Sequence, residues 1–277
     1  MTMCFELTSI SFDDTELHGL WFQHEDAQGT ALHIHGTWGN FYANPFIAPT
    51  GQLYRRHGLN FLTANFPGHD ETAISERFAD FTPALDSWLD ATCPGGAILL
   101  QGHSLGALKA LHYMQDPQAR NRDRVTGLVL FAPFDLVAFY SGGDTSKVDA
   151  HLAMAKKLRA SHGDSVLVPE EIFDMWQISV MTYLELATPG SASDLFPSRN
   201  FLEGSPIHSL RVQTFIAVGS EDFAAFPSAE EVIRMTTGAD QVQGILLEGA
   251  PHNFAGHVDR LVAYLDGWME THWKEEA

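Results

Sequence analysis

Apolar and polar residues alternate along this chain in two different rhythms. Short apolar runs, typical of buried strands, occur at 31–35, 59–64, 97–101, 125–131, 214–218 and 244–247. Amphipathic stretches with a period of about 3.6 residues, typical of helices, occur at 41–57, 78–91, 105–115, 224–235 and 254–270. Residues 5–22 alternate around Asp13 and Asp14, which predicts an initial β-hairpin. Strands that alternate with helices predict an α/β domain with a mostly parallel sheet, which binds ligands beyond the carboxyl ends of its strands.

One connection is much longer than the others, since about 80 residues separate the runs at 125–131 and 214–218. It contains helical patterns at 147–161 and 169–186, followed by a Ser/Pro/Gly-rich return at 188–206. We interpret residues 135–206 as a helical lid inserted into a core domain formed by residues 1–134 and 207–277. Its large apolar side chains are expected partly to pack the lid onto the core and partly to form an apolar ceiling. They are Phe139, Tyr140, Met154, Phe173, Met175, Trp176, Met181 and Tyr183.

The sequence Gly102-His103-Ser104-Leu105-Gly106 follows the apolar run at 97–101 directly and opens a helical pattern. A G-x-S-x-G sequence alone is a weak signal, but the strand–turn–helix context is typical of a nucleophile elbow. Ser104 is therefore the predicted nucleophile. The alternative is an ordinary serine at a helix N-terminus.

A serine nucleophile needs a base and an acid, which in this kind of fold follow it along the chain as acid and then histidine. Asp222 follows the run at 214–218, and His252 follows the run at 244–247. We predict Asp222 as the acid and His252 as the base, with Glu221 and Asp135 as alternatives for the acid. Taken singly, Asp222 could be a helix N-cap and His252 a surface histidine.

An oxyanion formed at the reacting carbonyl needs backbone N–H donors. We expect these donors to be Leu105, which follows the nucleophile, and Thr37, in the loop after the first core strand. Gly36 allows that loop to bend, and Trp38 could wall an acyl pocket or simply pack in the core. His35 is expected to stabilise the loop through hydrogen bonds.

Five segments together resemble the α/β-hydrolase superfamily, in particular lidded serine esterases. They are His35-Gly36-Thr37-Trp38-Gly39, Asn65-Phe66-Pro67-Gly68-His69, Gly102-His103-Ser104-Leu105-Gly106, Gly219-Ser220-Glu221-Asp222 and Pro251-His252. The resemblance implies the α/β-hydrolase fold, with the lid after the sixth strand, and the roles given above to Ser104, Asp222, His252, Thr37 and Leu105. Trp38, His103, Phe134, Trp176 and Phe223 are expected to contact the substrate.

The net charge of −19 argues against nucleic acids and anionic membranes as partners. Residues 101–200 contribute only −2 of this charge, against −9 from residues 1–100 and −8 from residues 201–277. Since the elbow and most of the lid lie in this nearly neutral third, we expect an uncharged or weakly charged acyl substrate.

Cysteine usage and targeting features favour a cytoplasmic protein. Cys4 and Cys93 form no CxxC pair, which suits a reducing compartment. The N-terminal residues lack the basic and apolar regions of a secretory signal, and the most apolar stretch, 127–140, is too short to span a bilayer. The sequence has neither a metal-binding motif such as HExxH nor a nucleotide-binding glycine motif, so we expect no metal and no cofactor. The expected assembly is a monomer or a homodimer.

Three functions are compatible with these residues. The first is hydrolysis of a medium to large, mostly apolar carboxylic ester or lactone through an acyl-enzyme. The second is the same triad used as a thioesterase, C–C hydrolase, acyltransferase or cyclase in natural-product metabolism. The third is a non-catalytic binding module, against which the presence of all three triad residue types argues.

Overall fold

The computed structural model describes residues 5–69, 73–142, 144–174, 176–189, 191, 206–237 and 240–273. Cys4, the predicted lid residue Met175 and most of the predicted return at 188–206 lie outside the described residues.

In the described part of the chain, eight strands form one twisted sheet in the order β1-β2-β4-β3-β5-β6-β7-β8. Their bounds are β1 Glu6–Phe12, β2 Thr15–Phe22, β3 Gly29–Ile34, β4 Leu59–Ala64, β5 Ala97–His103, β6 Val125–Phe131, β7 Gln213–Gly219 and β8 Val242–Leu247. Strands β1 and β2 are antiparallel to their neighbours, whereas β3 to β8 run parallel. The predicted hairpin, the six core strands and the mostly parallel α/β sheet are confirmed.

Helices cover both faces of the sheet. Their bounds are α1 Ile47–Arg56, α2 Phe78–Thr92, α3 Leu105–Gln115, α4 Leu136–Ser141, α5 Thr145–His162, α6 Val180–Ala187, α7 Pro206–Ser209, α8 Ala229–Thr236 and α9 Val258–His272. One apolar core, which includes Trp268, packs α1 and α9 on one face, and a second, which includes Trp88, packs α2, α3 and α8 on the other. Burial on both faces explains why the core strands are continuous apolar runs in the sequence.

The predicted helix at 169–186 is wrong over its first part, because α6 begins only at Val180. The Ser179 Oγ accepts a hydrogen bond from the Thr182 N–H at 3.1 Å and caps the helix there. Before the cap, the backbone pairs with Ile74, whose N–H donates to the Gln177 carbonyl at 2.8 Å and whose carbonyl accepts from the Ser179 N–H at 2.8 Å. This pairing between distant segments has no periodic signal in the sequence.

Three other helices begin later than their patterns predict, at Ile47, Ala229 and Val258. In each case the preceding residues are held in a loop. The Asn40 Oδ1 accepts from the Tyr42 N–H at 3.0 Å before α1, and the Ser228 Oγ caps α8. Phe254 has a φ of +58°, which excludes it from α9.

The connection between β6 and β7 contains α4 to α7 and contacts the rest of the molecule. Arg77 forms an ion pair with Glu185 of α6 at 3.3 Å, and the Phe78 N–H donates to the same carboxylate at 2.9 Å. The rings of Trp38 and Trp176 meet edge to face at 5.2 Å. The insertion therefore lies against the loop after β3 and the start of α2. Its action as a lid stays a prediction.

Three buried polar side chains from α1, β5 and β3 are joined by hydrogen bonds beneath the loops at the carboxyl edge of the sheet. The Tyr54 hydroxyl of α1 donates to the Gln101 Oε1 of β5, and the Gln101 Nε2 donates to the His33 Nδ1 of β3 at 3.0 Å. All three residues are fully buried. Burial disfavours the charged imidazole and lowers the pKa of His33 from 6.5 to about 3.

This buried histidine predicts a loss of stability in acid. The unfolded chain takes up a proton at His33 as pH falls through 6.5, whereas the folded chain does so only near 3, so stability is complete above about pH 7 and falls below it. At pH 5 the cost from His33 is about 2 kcal/mol of unfolding free energy. We expect His33→Asn to reduce the difference in unfolding free energy between pH 8 and pH 5 by about that amount, measured by urea denaturation. His162→Asn, at the exposed end of α5, is the control for histidine removal. Equal acid sensitivity in wild type and His33→Asn would contradict the prediction.

Candidate active site

Ser104 lies in a sharp turn between the end of β5 and the start of α3. Its backbone adopts φ +58° and ψ −124°, a conformation that costs a non-glycine residue about 1–3 kcal/mol. The Ser104 N–H donates to the Phe131 carbonyl at the end of β6 at 2.9 Å, which fixes the turn to the sheet. The residue lies at the carboxyl edge of the parallel strands, as a nucleophile elbow requires.

The elbow requires a glycine two residues after Ser104 because α3 passes against the end of β3 at that position. A Cβ on Gly106 would lie 2.2 Å from the Ile34 carbonyl oxygen and 2.6 Å from that of His35. Gly36 also leaves no room for a side chain, since its Cβ would lie 2.8 Å from the Ser104 Cβ. These contacts place the loop after β3 directly beside the Ser104 side chain.

The loop after β3 is held from below by His35. The His35 Nε2 accepts from the Phe66 N–H at 3.2 Å, so its Nδ1 carries the proton and donates to the Gly36 carbonyl at 2.8 Å. Burial and the nearby Lys109 lower the pKa of His35 well below its usual value, which keeps the ring neutral. The hydrogen bonds expected of His35 are present.

The two predicted oxyanion donors belong to segments that touch at Gly36 and Ser104. Thr37 is half-buried in the loop after β3, and the next residue, Trp38, has a φ of +54°. Leu105 is the first residue of α3, so its N–H has no carbonyl partner within the helix. The arrangement suits an oxyanion hole, and the donor role of each amide stays a prediction.

His252 and Asp222 form a hydrogen-bonded pair, with the His252 Nδ1 2.8 Å from the Asp222 Oδ1. The carboxylate is 1% exposed and also accepts from the Ala224 N–H at 2.8 Å. The Glu221 N–H donates to the Ala250 carbonyl at 3.0 Å and joins the loops after β7 and β8. Because the carboxylate accepts the Nδ1 proton, the lone pair of the imidazole resides on Nε2.

The two alternative acids lie in different surroundings. Glu221 is exposed, and Asp135 is buried at the start of α4, where its Oδ1 accepts from the Ala138 N–H at 3.0 Å. Among the three carboxylates, the hydrogen bond to His252 belongs to Asp222.

Aromatic rings surround the exposed side of His252. The Phe223 ring lies 5.1 Å and the Phe134 ring 6.0 Å from the imidazole, measured between centroids. Phe134 also contacts Trp176 at 6.4 Å, and Trp176 contacts Trp38. Four of the five predicted substrate residues therefore form one connected cluster, which we call the aromatic cluster: Trp38, Phe134, Trp176 and Phe223.

The fifth predicted substrate residue, His103, faces the protein interior. It is 5% exposed, and both of its ring nitrogens have protein partners, the His252 carbonyl and the Asn44 side chain. No polar atom of His103 is left for a substrate.

Two charged residues that the sequence pattern did not single out lie beneath the loop after β3. Lys109 of α3 and Glu76 are 1% and 2% exposed, and the Lys109 Nζ lies 3.4 Å from the Glu76 Oε1. The same oxygen lies 4.0 Å from the His35 Nδ1. Lys109 lies among apolar residues of α3, and Glu76 lies in a loop. The sequence pattern therefore gives no sign that the two side chains form a buried ion pair.

The described ranges contain neither a candidate metal site nor a candidate membrane span. No cluster of three or more His, Cys, Asp or Glu residues there could hold a metal ion. Of the helices described, none has the length and apolarity needed to cross a membrane.

The sequence matches the model of the alpha/beta hydrolase family over residues 31–264, and the chain belongs to this family. No curated protein matches the sequence at a significant level.

Solved structures share the fold at low sequence identity. The siderophore hydrolase EstB from Aspergillus fumigatus is 15% identical with a TM-score of 0.70, and the match covers 99% of each chain. Est1E from Butyrivibrio proteoclasticus with bound ferulic acid is 15% identical with a TM-score of 0.66, over 96% of this chain and 98% of that one. A soluble variant of monoglyceride lipase from Saccharomyces cerevisiae, bound to a substrate analog, is 15% identical with a TM-score of 0.65, over 98% and 96%. At this identity the likeness concerns the fold.

The close approach at Gly106 predicts that Gly106→Ala destabilises the protein. The added methyl group meets backbone carbonyls that cannot rotate away, so we expect a loss of about 1–3 kcal/mol of unfolding free energy, measured by urea denaturation. Gly267 of α9 is the matched control because a Cβ there meets nothing within 4 Å. Gly267→Ala should raise the unfolding free energy by up to about 1 kcal/mol through helix propensity. Similar effects of the two substitutions would refute the packing argument.

Proposed function

We propose that the protein is a serine-dependent carboxylic-ester hydrolase that acts through an acyl-enzyme. The observation that carries the proposal is the hydrogen bond between the buried Asp222 carboxylate and His252, at the sheet edge that also presents Ser104 in a strained elbow. Membership of the alpha/beta hydrolase family supports hydrolase chemistry in general.

In the proposed reaction, the His252 Nε2 takes the proton of Ser104 as its Oγ attacks the ester carbonyl. Asp222 keeps the imidazole in the tautomer that can accept this proton and stabilises the imidazolium that forms. The Thr37 and Leu105 amides donate to the oxyanion. His252 then protonates the leaving alcohol and afterwards removes a proton from the water that hydrolyses the acyl-enzyme.

The aromatic cluster supports a medium to large, mostly apolar substrate. Phe223 is 59% exposed beside His252, and exposed aromatic side chains next to reacting groups are typical of binding surfaces. The net charge of −19 disfavours anionic substrates. Two of the structural neighbours were solved with ferulic acid or a substrate analog, and we infer that this chain likewise accepts an ester with a bulky apolar part.

The helices of residues 135–206 are proposed to act as a lid over this substrate. Trp176 lies on the insertion and Trp38 on the core, so their ring contact is the point at which a lid would meet the acyl pocket. The proposal places the enzyme in the cytoplasm, as a monomer or homodimer that needs no cofactor.

Removal of the nucleophile should abolish turnover. We expect Ser104→Ala to lower kcat for p-nitrophenyl esters by at least about 10³-fold and to abolish covalent labelling by a fluorophosphonate probe. Asp222→Asn should lower kcat by about 10³–10⁴-fold because His252 is then held in the wrong tautomer. Glu221→Gln is the matched control on the same loop and should retain wild-type activity. Full activity in Ser104→Ala would overturn the proposed function.

The role of the aromatic cluster in substrate preference can be tested at Phe223. Phe223→Ala should raise KM about 5- to 20-fold for esters with an aromatic or long acyl group, because it removes apolar contact with the substrate. KM for the acetate ester should change little, since a short acyl group does not reach the ring. Tyr264→Ala is the control, because Tyr264 is also an exposed aromatic residue but lies on α9. An equal rise in KM for acetate and large esters would argue against this role.

A further inference from the structure

His103 occupies the variable position of the elbow, one residue before Ser104. Its side chain reaches the loop after β8, which carries His252. The His103 Nε2 lies 3.0 Å from the carbonyl oxygen of His252, a residue 149 positions away in the chain. The imidazole rings of His103 and His252 lie 4.9 Å apart. One side chain therefore bridges the nucleophile turn and the loop of the base.

The hydrogen bonds define one tautomer of His103. A carbonyl can only accept, so the His103 Nε2 carries the proton and donates to the His252 oxygen. The Asn44 Nδ2 then donates to the unprotonated His103 Nδ1, at 3.4 Å. Burial and the nearby His252 lower the pKa of His103 well below its usual value, so the neutral ring persists through the working pH range.

The base is thus held at two points. Asp222 holds the ring of His252 through Nδ1, and His103 holds the backbone of the same residue through its carbonyl. Asp222 fixes the tautomer that leaves the imidazole lone pair on Nε2, whereas the bond from His103 ties the His252 backbone to the elbow. Proton transfer depends steeply on this position, and a displacement of about 1 Å can cost on the order of 10²-fold in rate.

We propose that His103 is a positioning residue. Its hydrogen bond to the His252 carbonyl holds His252 at the distance from Ser104 that proton transfer requires. The inference rests on the proposed function, in which Ser104 and His252 are nucleophile and base. It assigns to His103 a role different from the substrate contact that the sequence suggested.

A simpler reading is that His103 only fills space. Its ring packs against Phe46 at 5.2 Å, and Phe46 lies in the core with Phe131. The two readings differ in what a substitution must retain. If His103 only fills space, a substitute needs only a similar side-chain volume. If it positions His252, the substitute must also provide a hydrogen-bond donor in place of Nε2.

The experiment compares His103→Leu, which keeps an apolar volume, with His103→Gln, whose side-chain amide can donate from nearly the same place. We expect His103→Leu to lower kcat about 10- to 100-fold with KM within about 2-fold, because the reaction geometry changes and the substrate surface does not. The rate of fluorophosphonate labelling of Ser104 should fall in parallel. His103→Gln should restore kcat to within about 3-fold of wild type.

Asn44→Ala is the second variant and covers the case in which His103→Leu does not fold. It removes the donor that fixes the His103 tautomer and leaves the ring in place. We expect it to lower kcat at least about 3-fold without a change in KM. Thermal unfolding of each variant shows whether a loss of rate follows a loss of folded protein.

Two results would overturn the proposal. One is equal kcat in His103→Leu and His103→Gln, and the other is an unchanged kcat in Asn44→Ala together with a change confined to KM in the His103 variants. If Ser104→Ala is inactive while His103→Leu is fully active, this inference fails alone. If Ser104→Ala keeps full activity, the proposed function itself fails.

Discussion

The close approach of α3 to the end of β3 is the constraint on which the rest of the site depends. Gly106 allows the helix to lie against the Ile34 and His35 carbonyls, where a methyl group would be 2.2 Å from oxygen. The turn at Ser104, next to this contact, adopts a strained conformation, and the packing of both elements in the core offsets the strain. It also brings the Leu105 N–H, which has no carbonyl partner within α3, next to the loop after β3.

Hydrogen bonds from separate elements then complete the site around this contact. His35 fixes the loop after β3 from the interior, Asp222 orients the His252 ring, and His103 joins the elbow to the His252 backbone. The bonds between Phe66 and His35, His252 and Asp222, and His103 and His252 each join the ends of different strands, so the parallel sheet acts as the rigid support on which these short loops are aligned. Neutral buried histidines suit this task because each ring offers one donor and one acceptor in a fixed geometry.

Charge and apolar surface are distributed differently over the molecule. Residues 1–100 and 201–277 contribute −9 and −8 of the net charge, whereas residues 101–200, which contain the elbow and most of the insertion, contribute −2. The aromatic cluster joins Trp176 of the insertion to side chains of the core beside His252. An apolar surface within an acidic protein attracts uncharged molecules in preference to anions, which is the physical basis for the proposed substrate class.

The strands, the helix after Ser104 and the elbow itself were predictable from the sequence, because burial on both faces and glycine spacing are local patterns. Helix starts at Ile47, Val180, Ala229 and Val258 were not. Serine side chains cap the helices at Val180 and Ala229, a turn at Asn40 precedes Ile47, and the positive φ of Phe254 precedes Val258. The sequence also left three acids open for the partner of His252. Only the tertiary structure showed that the hydrogen bond to His252 comes from Asp222, and only it showed that the His103 ring bonds to the His252 backbone and to Asn44. The sequence determines which residue types each loop carries. Which of several nearby acids contacts His252 depends on the direction of the side chains at the strand ends, and the packing of the whole sheet fixes that direction.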